Sequence, residues 1–134
     1  DDCDALVMAA AVSDYRPAVR AENKIKKEQH DHLNIELTEN PDILYGLGQK
    51  KTHQFLVGFA AETRDVIEYG KAKLAKKNLN LLVANDVAQQ GAGFNVSTNI
   101  AALIYKDGHI EQYPKMTKDD LGHIIIEKIV EGIN

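Results

Sequence analysis

The sequence predicts an α/β fold, a three-layer sandwich whose mostly parallel sheet ends in an antiparallel hairpin. Three observations predict it. Short apolar runs (ALVMAAAV, FLVGFA, LNLLVA) recur between segments of helical spacing. An Asp-Gly turn joins two alternating segments near the C-terminus. The last segment places apolar residues three and four apart along one helical face.

Ala5–Val12 is apolar on both sides and stops at the polar Ser13-Asp14, the pattern of a buried strand, although its alanines also suit a helix. The next stretch, SDYRPAVRAENKIKKEQHDH, is dense in charge and holds Pro17. It is too long for a mere connection, and loops of this length inside a compact domain are usually functional or disordered. A protruding basic loop is expected over 16–32. Leu33–Leu37 alternates, which suits a half-exposed strand. Asn40-Pro41 signals a helix start, with Asn40 as cap and Pro41 in the first turn, and the helix should run to about Lys50. Phe55–Ala60 is a second buried strand, and a helix follows from Thr63 to Lys77. Leu79–Ala84 is a third. A Gly- and Gln-containing loop over 85–99 leads to strands at Ile100–Tyr105 and His109–Tyr113, joined by Lys106-Asp107-Gly108. Thr117 should cap the last helix, with Asp120 in the capping-box position and Leu121, Ile124, Ile125 and Ile129 on its inner face. This is a Rossmann-like order in a single domain spanning 1–134. The first strand has no preceding helix and the chain opens at Asp1. One face of the sheet should therefore be under-covered, with the N-terminal part of the domain missing.

Composition narrows the function classes. The chain has 134 residues, 44% hydrophobic and 27% charged, close to the soluble average. No apolar run approaches the roughly 20 residues that cross a bilayer, so no membrane association is expected. A net charge of −4 argues against a nucleic-acid binder, which depends on a positive field. One cysteine, Cys3, makes no internal disulfide and suits a reducing cytoplasm. A Gly-rich phosphate loop, a G-x-G-x-x-G and a G-x-S-x-G are all absent. His30 and His32 stand two apart with Asp31 between, but a metal would need more ligands nearby; they read as histidines of an exposed loop, and no metal-ligating residue is assigned. His123 should be partly buried near the apolar face of the last helix.

Chemistry in an open α/β sheet sits outside the carboxyl ends of its strands. The three apolar strands exit alike, into Ser13-Asp14-Tyr15, Ala61-Glu62-Thr63 and Asn85-Asp86-Val87. Small residues let a ligand approach the backbone and polar ones bond it. Ordinary helix caps account for the same residues equally well. Lys24-Ile25-Lys26-Lys27 could clamp phosphates or be a solvated charge run. Lys73 and Lys77 lie four apart on one helical face and could share an anion, although a solvated face near a helix C-terminus explains them too.

The ordered series AAVSDY (10–15), KIKK (24–27), NPDI (40–43), GFAAET (58–63), Lys73, KNL (77–79), ANDV (84–87) and Phe94-Asn95 resembles bacterial phosphopantothenoylcysteine synthetases, across essentially the whole chain. The resemblance covers only the C-terminal portion of that synthetase domain. It implies a CTP-dependent ligation of 4′-phosphopantothenate to L-cysteine through an acyl-cytidylate, in coenzyme A synthesis, with Mg2+ on the triphosphate. It also implies a cytoplasmic homodimer, in many members fused behind a flavin-dependent decarboxylase. Carried over by position, Met8, Ala9, Ala10 and Asp14 would contact the nucleotide, and Lys24 would be the catalytic lysine. Pro41, Asp42, Ile43 and Leu44 would place a helix start near the nucleotide. Phe59 would pack near ribose or base, and Lys73 and Lys77 would hold the triphosphate. The family's Gly-rich opening segment is absent, so this fragment alone is expected to be inactive. The alternative is a non-catalytic nucleotide-binding or dimerising module of a larger protein.

Overall fold

The computed structural model describes residues 2–26, 32–62, 64–86 and 98–134. Its elements run β1 (Ala5–Met8), β2 (Tyr15–Pro17), β3 (Leu37–Glu39), α1 (Ile43–Lys50), β4 (Phe55–Glu62), α2 (Val66–Lys76), β5 (Leu81–Asp86), β6 (Thr98–Tyr105), β7 (Ile110–Thr117) and α3 (Lys118–Ile133). The chain divides into two compact units. One comprises Asp1–Ala9 and Leu44–Asn134, the other Ala10–Ile43.

The larger unit is the expected α/β sandwich. Its five-stranded sheet has the order β1-β4-β5-β6-β7. β1, β4 and β5 pair in parallel, while β5–β6 and β6–β7 are antiparallel, so only β6 runs against the other four strands. Alternation along the strands builds two cores. Phe55, Val57, Leu81, Val83, Ala101 and Leu103 face Leu121, Ile125 and Ile129 of α3. Leu56, Ala60, Leu82, Ala84 and Ile104 face Leu44 of α1 and Leu74 of α2. Val57, Leu81, Val83 and Leu103 are fully buried, the mark of central strands covered on both faces. β1 departs from the expected buried strand. Among the described residues it is an edge, paired with β4 alone over Ala5–Met8, and Val7 is exposed on the face that α3 covers. Ala9–Val12, expected to extend it, lies outside the strand.

Local chemistry explains the element ends. α2 stops in a Schellman motif: Leu79 N–H donates to Leu74 O (3.0 Å) and Asn78 N–H to Ala75 O (3.2 Å), with Asn78 at φ 51° in the left-handed region. Leu74 and Leu79 supply the accompanying apolar contact. Asn78 Nδ2 then donates to Gly48 O of α1 at 2.9 Å, and a Cβ at Gly48 would collide with the Lys77 carbonyl. The close helix approach therefore requires glycine there. The hairpin turns where Asp-Gly predicts, with Gly108 at φ +91° and its N–H donating to Tyr105 O. Both hairpin strands run longer than expected. β7 continues through Pro114 to Thr117, tolerated because β7 is the other sheet edge and the ladder shifts register between Asn99 and Ala101. Thr117 Oγ1 accepts from Asp120 N–H at 3.1 Å and donates to the Asp120 carboxylate at 2.6 Å, the predicted cap. His123 is exposed, its Nδ1 3.0 Å from Asp119 O, and so lies off the buried face.

In the smaller unit the sequence predicts a strand only at 33–37, without its partner. β2 pairs antiparallel with β3, Tyr15 opposite Glu39 and Pro17 opposite Leu37. The alternating strand expected at 33–37 is displaced to 37–39, because the partner strand ends at Pro17. The loop expected over 16–32 therefore begins after Pro17. Of its residues, 18–26 and 32 have no regular structure and 27–31 lie outside the described residues. Asn40 stitches this ribbon instead of capping α1. Its N–H donates to Asp14 O (2.7 Å), its Nδ2 donates to Ser13 O (2.8 Å) and its Oδ1 accepts from Arg16 Nη1 (2.8 Å). The helix accordingly starts at Ile43, later than Pro41 suggested.

Candidate functional site at the carboxyl ends of the parallel strands

In the larger unit, parallel pairing brings two of the three predicted exits side by side. Ala61 of β4 is in register with Asn85 of β5, and Glu62 with Asp86. Met8 ends β1 opposite Gly58. Phe59, half-buried, packs on the α3 side of the sheet, while Met8 packs on the side of α1 and α2. Leu44 is buried near the start of α1. Ala9 follows β1 and is exposed.

The strand end carries charge. Glu62, its side chain 18% exposed, closes β4. Alternation puts it on the same face as Gly58 and Ala60, the face that α2 covers. Lys73 of α2 reaches it, Nζ donating to Oε1 at 2.6 Å. Lys77 follows one helical turn later, in the C-cap of α2. Asn85 Oδ1 is buried with no hydrogen-bond partner, an unsatisfied acceptor at the end of β5. At its other end α2 begins after Asp65, held at φ 48° with no side-chain cap. A non-glycine residue in the left-handed region is uncommon.

The remaining sequence-predicted residues lie in the smaller unit. Ala10, Asp14, Lys24, Pro41, Asp42 and Ile43 are exposed there, and Asp14 O accepts from Asn40 N–H. Thr63, Lys27 and Val87 fall outside the described residues, as does Phe94-Asn95. Two residues of the site were not assigned roles from sequence, Glu62 as the partner of Lys73 and Asn85 as an orphan acceptor. The available signal was their position, the first polar residues at the ends of apolar strands.

Perturbed titration does not mark this edge. It gathers instead at Lys51, before β4, and where β6, β7 and α3 meet. Burial, together with nearby Lys106, pushes Lys51 below the usual lysine range, and Lys51 Nζ donates to Asn80 Oδ1 at 2.5 Å. Burial raises Tyr105, aided by Glu111. Glu111 is held below the ordinary carboxylate range chiefly by the Tyr113 hydroxyl, which donates to it at 2.6 Å, and Lys128 approaches it at 3.5 Å. This network ties α3 to β7, so it reads as architecture rather than catalysis.

Among the described residues no three His, Cys, Asp or Glu side chains cluster as a metal site. No helix among them is long and apolar enough to cross a membrane.

Comparison with known proteins follows the same lines. The chain is 46% identical over 129 residues to the coenzyme A biosynthesis bifunctional protein CoaBC of Bacillus subtilis, covering 96% of this chain and 32% of that protein. It is 45% identical over 124 residues to the CoaBC of Escherichia coli K12, covering 90% of this chain and 30% of the relative. It thus spans about a third of the curated relatives it matches. The crystal structure of a CoaBC C-terminal domain superposes with TM-score 0.74 at 37% identity, covering 96% of this chain and 54% of that one. A DNA/pantothenate metabolism flavoprotein from Streptococcus pneumoniae superposes at 0.73 with 24% identity, covering 99% and 63%, and so shares the fold. Residues 1–133 match the family described as the DNA/pantothenate metabolism flavoprotein C-terminal domain, the C-terminal part of CoaBC that carries the synthetase domain, and the chain belongs to that family.

Proposed function

We propose that this chain is the nucleotide-binding portion of a CTP-dependent phosphopantothenate–cysteine ligase. The observation that carries the reading is the edge where β4 and β5 end in register, with the Lys73 ammonium of α2 held on the Glu62 carboxylate there. Parallel sheets bind ligands at this edge, and a triphosphate there needs more than one positive group. Family membership supports the same step in coenzyme A synthesis.

In this reading the 4′-phosphopantothenate carboxylate attacks the α-phosphorus of CTP. The bond to the β-phosphate bridging oxygen breaks, and pyrophosphate leaves with that electron pair. The cysteine amine then attacks the acyl carbon, releasing CMP and a proton as the amide forms. An anionic nucleophile meeting an anionic phosphate needs charge offset and fixed geometry. In this reading Lys73 and Lys77 are phosphate-binding cations and Lys24 is the catalytic lysine. Phe59 offers an apolar surface to ribose or base. Asn85 Oδ1 awaits a donor, a role that a sugar hydroxyl or an exocyclic amine would fill. Mg2+ bound to a triphosphate takes most of its ligands from phosphate and water, so it needs at most one or two carboxylates from the protein. When bound, the ion would neutralise phosphate charge. A homodimer, a fused decarboxylase and a cytoplasmic setting belong to the same reading.

The test is thermal shift of the protein as its gene encodes it, with Mg2+ and CTP, ATP, GTP or UTP in turn. Ligand at about 100 times its Kd stabilises by roughly 2.7 kcal/mol, a shift of several degrees. The expected result is a shift specific to CTP, with Lys24→Ala slowing pyrophosphate release on addition of 4′-phosphopantothenate. A panel flat for every nucleotide refutes the reading. Binding without pyrophosphate release supports a non-catalytic module instead.

A further inference from the structure

The Lys73–Glu62 contact raises a question that folding stability does not answer. Lys73 is 44% exposed, and an ion pair to a lysine this accessible adds little to stability. Yet the contact is short, 2.6 Å, and it joins the last residue of a central strand to a helix. Its two halves differ. Glu62 is mostly buried, so its carboxylate has little freedom to swing. Lys73 carries its charge on a flexible four-carbon stem with three N–H donors. The immobile partner therefore sets the position of the mobile one. One N–H is committed to Glu62, and the ammonium stays partly open to solvent with two donors to spare.

We propose that Glu62 is a positioning residue that holds the Lys73 ammonium ready for the phosphates of a nucleotide, an inference that rests on the ligase reading above. A free lysine must lose rotamer freedom when it meets an anion, and a lysine already held loses less. The opposing effect is repulsion between the Glu62 carboxylate and the incoming phosphate. The ammonium is the more exposed of the two groups, 44% against 18%, so an approaching anion meets the positive charge first and attraction dominates. Loss of the carboxylate then weakens nucleotide binding, although it removes a negative charge from an anion site. A purely electrostatic view predicts the opposite sign, which makes the direction diagnostic.

The experiment measures CTP affinity by calorimetry, and KM and kcat by pyrophosphate release, on the protein as its gene encodes it. The variants are Glu62→Ala, Glu62→Gln, Lys73→Ala and the double variant Glu62→Ala/Lys73→Ala. Glu62→Ala should weaken CTP binding about five- to thirtyfold, the usual span for a coupled pair. KM should rise while kcat stays within about twofold. Glu62→Gln keeps an acceptor for Lys73 and should recover part of the loss. In the Lys73→Ala background, Glu62→Ala should cost nothing further or even improve binding. Additive losses in the double variant, or tighter CTP binding by Glu62→Ala alone, overturn the proposal while leaving the ligase reading intact if Lys73→Ala still weakens CTP. Melting temperature separates positioning from folding: a Glu62→Ala effect that appears only as a lower Tm, with unchanged KM, also overturns it. A wild-type protein that takes up no nucleotide removes the reading and the role of Glu62 with it.

Discussion

Two glycines two positions apart in α1 should respond oppositely to the same substitution. An alanine Cβ at Gly48 would sit on the Lys77 carbonyl, which belongs to the backbone of the α2 C-cap. That atom is held by the Schellman motif and by the Asn78–Gly48 hydrogen bond, so it cannot yield as a side-chain tip would. At Gly46 the same Cβ meets nothing within 4 Å. Helix propensity favours alanine at both positions by about 0.8–1 kcal/mol. Gly46→Ala should realise most of that gain. Gly48→Ala adds an overpacking cost of about 1–3 kcal/mol and strains a hydrogen bond whose net contribution is about 1 kcal/mol. Its net effect is a loss of about 1–3 kcal/mol. Paired urea titrations of wild type and the two variants measure both signs, and near this size 1 kcal/mol moves Tm by about 3–5 °C. Equal stabilisation by the two alanines would refute the packing argument, because only propensity would then be acting. The functional echo is that Gly48→Ala displaces the α2 C-cap and so misplaces Lys77.

Other expectations follow from single contacts. Leu82→Ala, in a strand interior 1% exposed, should destabilise by about 2–5 kcal/mol in chemical denaturation. Thr117→Ala removes the side-chain acceptor for Asp120 N–H and should cost about 1 kcal/mol, with Thr117→Ser largely restoring it. Glu111 is held below its ordinary value of 4.5, chiefly by the Tyr113 hydroxyl, so its contribution is fully present above that pH and is lost as pH falls through the lower, folded value. Stability-versus-pH curves should therefore flatten in that acid window in Glu111→Gln, and identical curves for variant and wild type would exclude the linkage.

Much of this fold was legible along the chain because it rests on local rules. Apolar runs of strand length, the Asp-Gly turn and Thr117 ahead of Asp120 each act within a few residues, so FLVGFA, the hairpin and α3 lie where pattern placed them. The family motifs were legible for the same reason, being contiguous in sequence. Other features were decided by partners distant in the chain. β1 reads as a buried strand from its unbroken apolar run, yet among the described residues it pairs with β4 alone and leaves Val7 exposed at the sheet edge. Tyr15-Arg16-Pro17 has no apolar signature and becomes a strand because Leu37–Glu39 lies opposite. Asn40 obeys the capping rule in sequence, but three hydrogen bonds to Ser13, Asp14 and Arg16 recruit it elsewhere. At the site, sequence supplied Lys73 and Lys77 as cations four residues apart. Only the sheet register and the packing of α2 set Glu62 against one of them and left Asn85 Oδ1 without a donor. Spacing within an element is written in the chain, whereas pairing between elements depends on which surfaces bury each other.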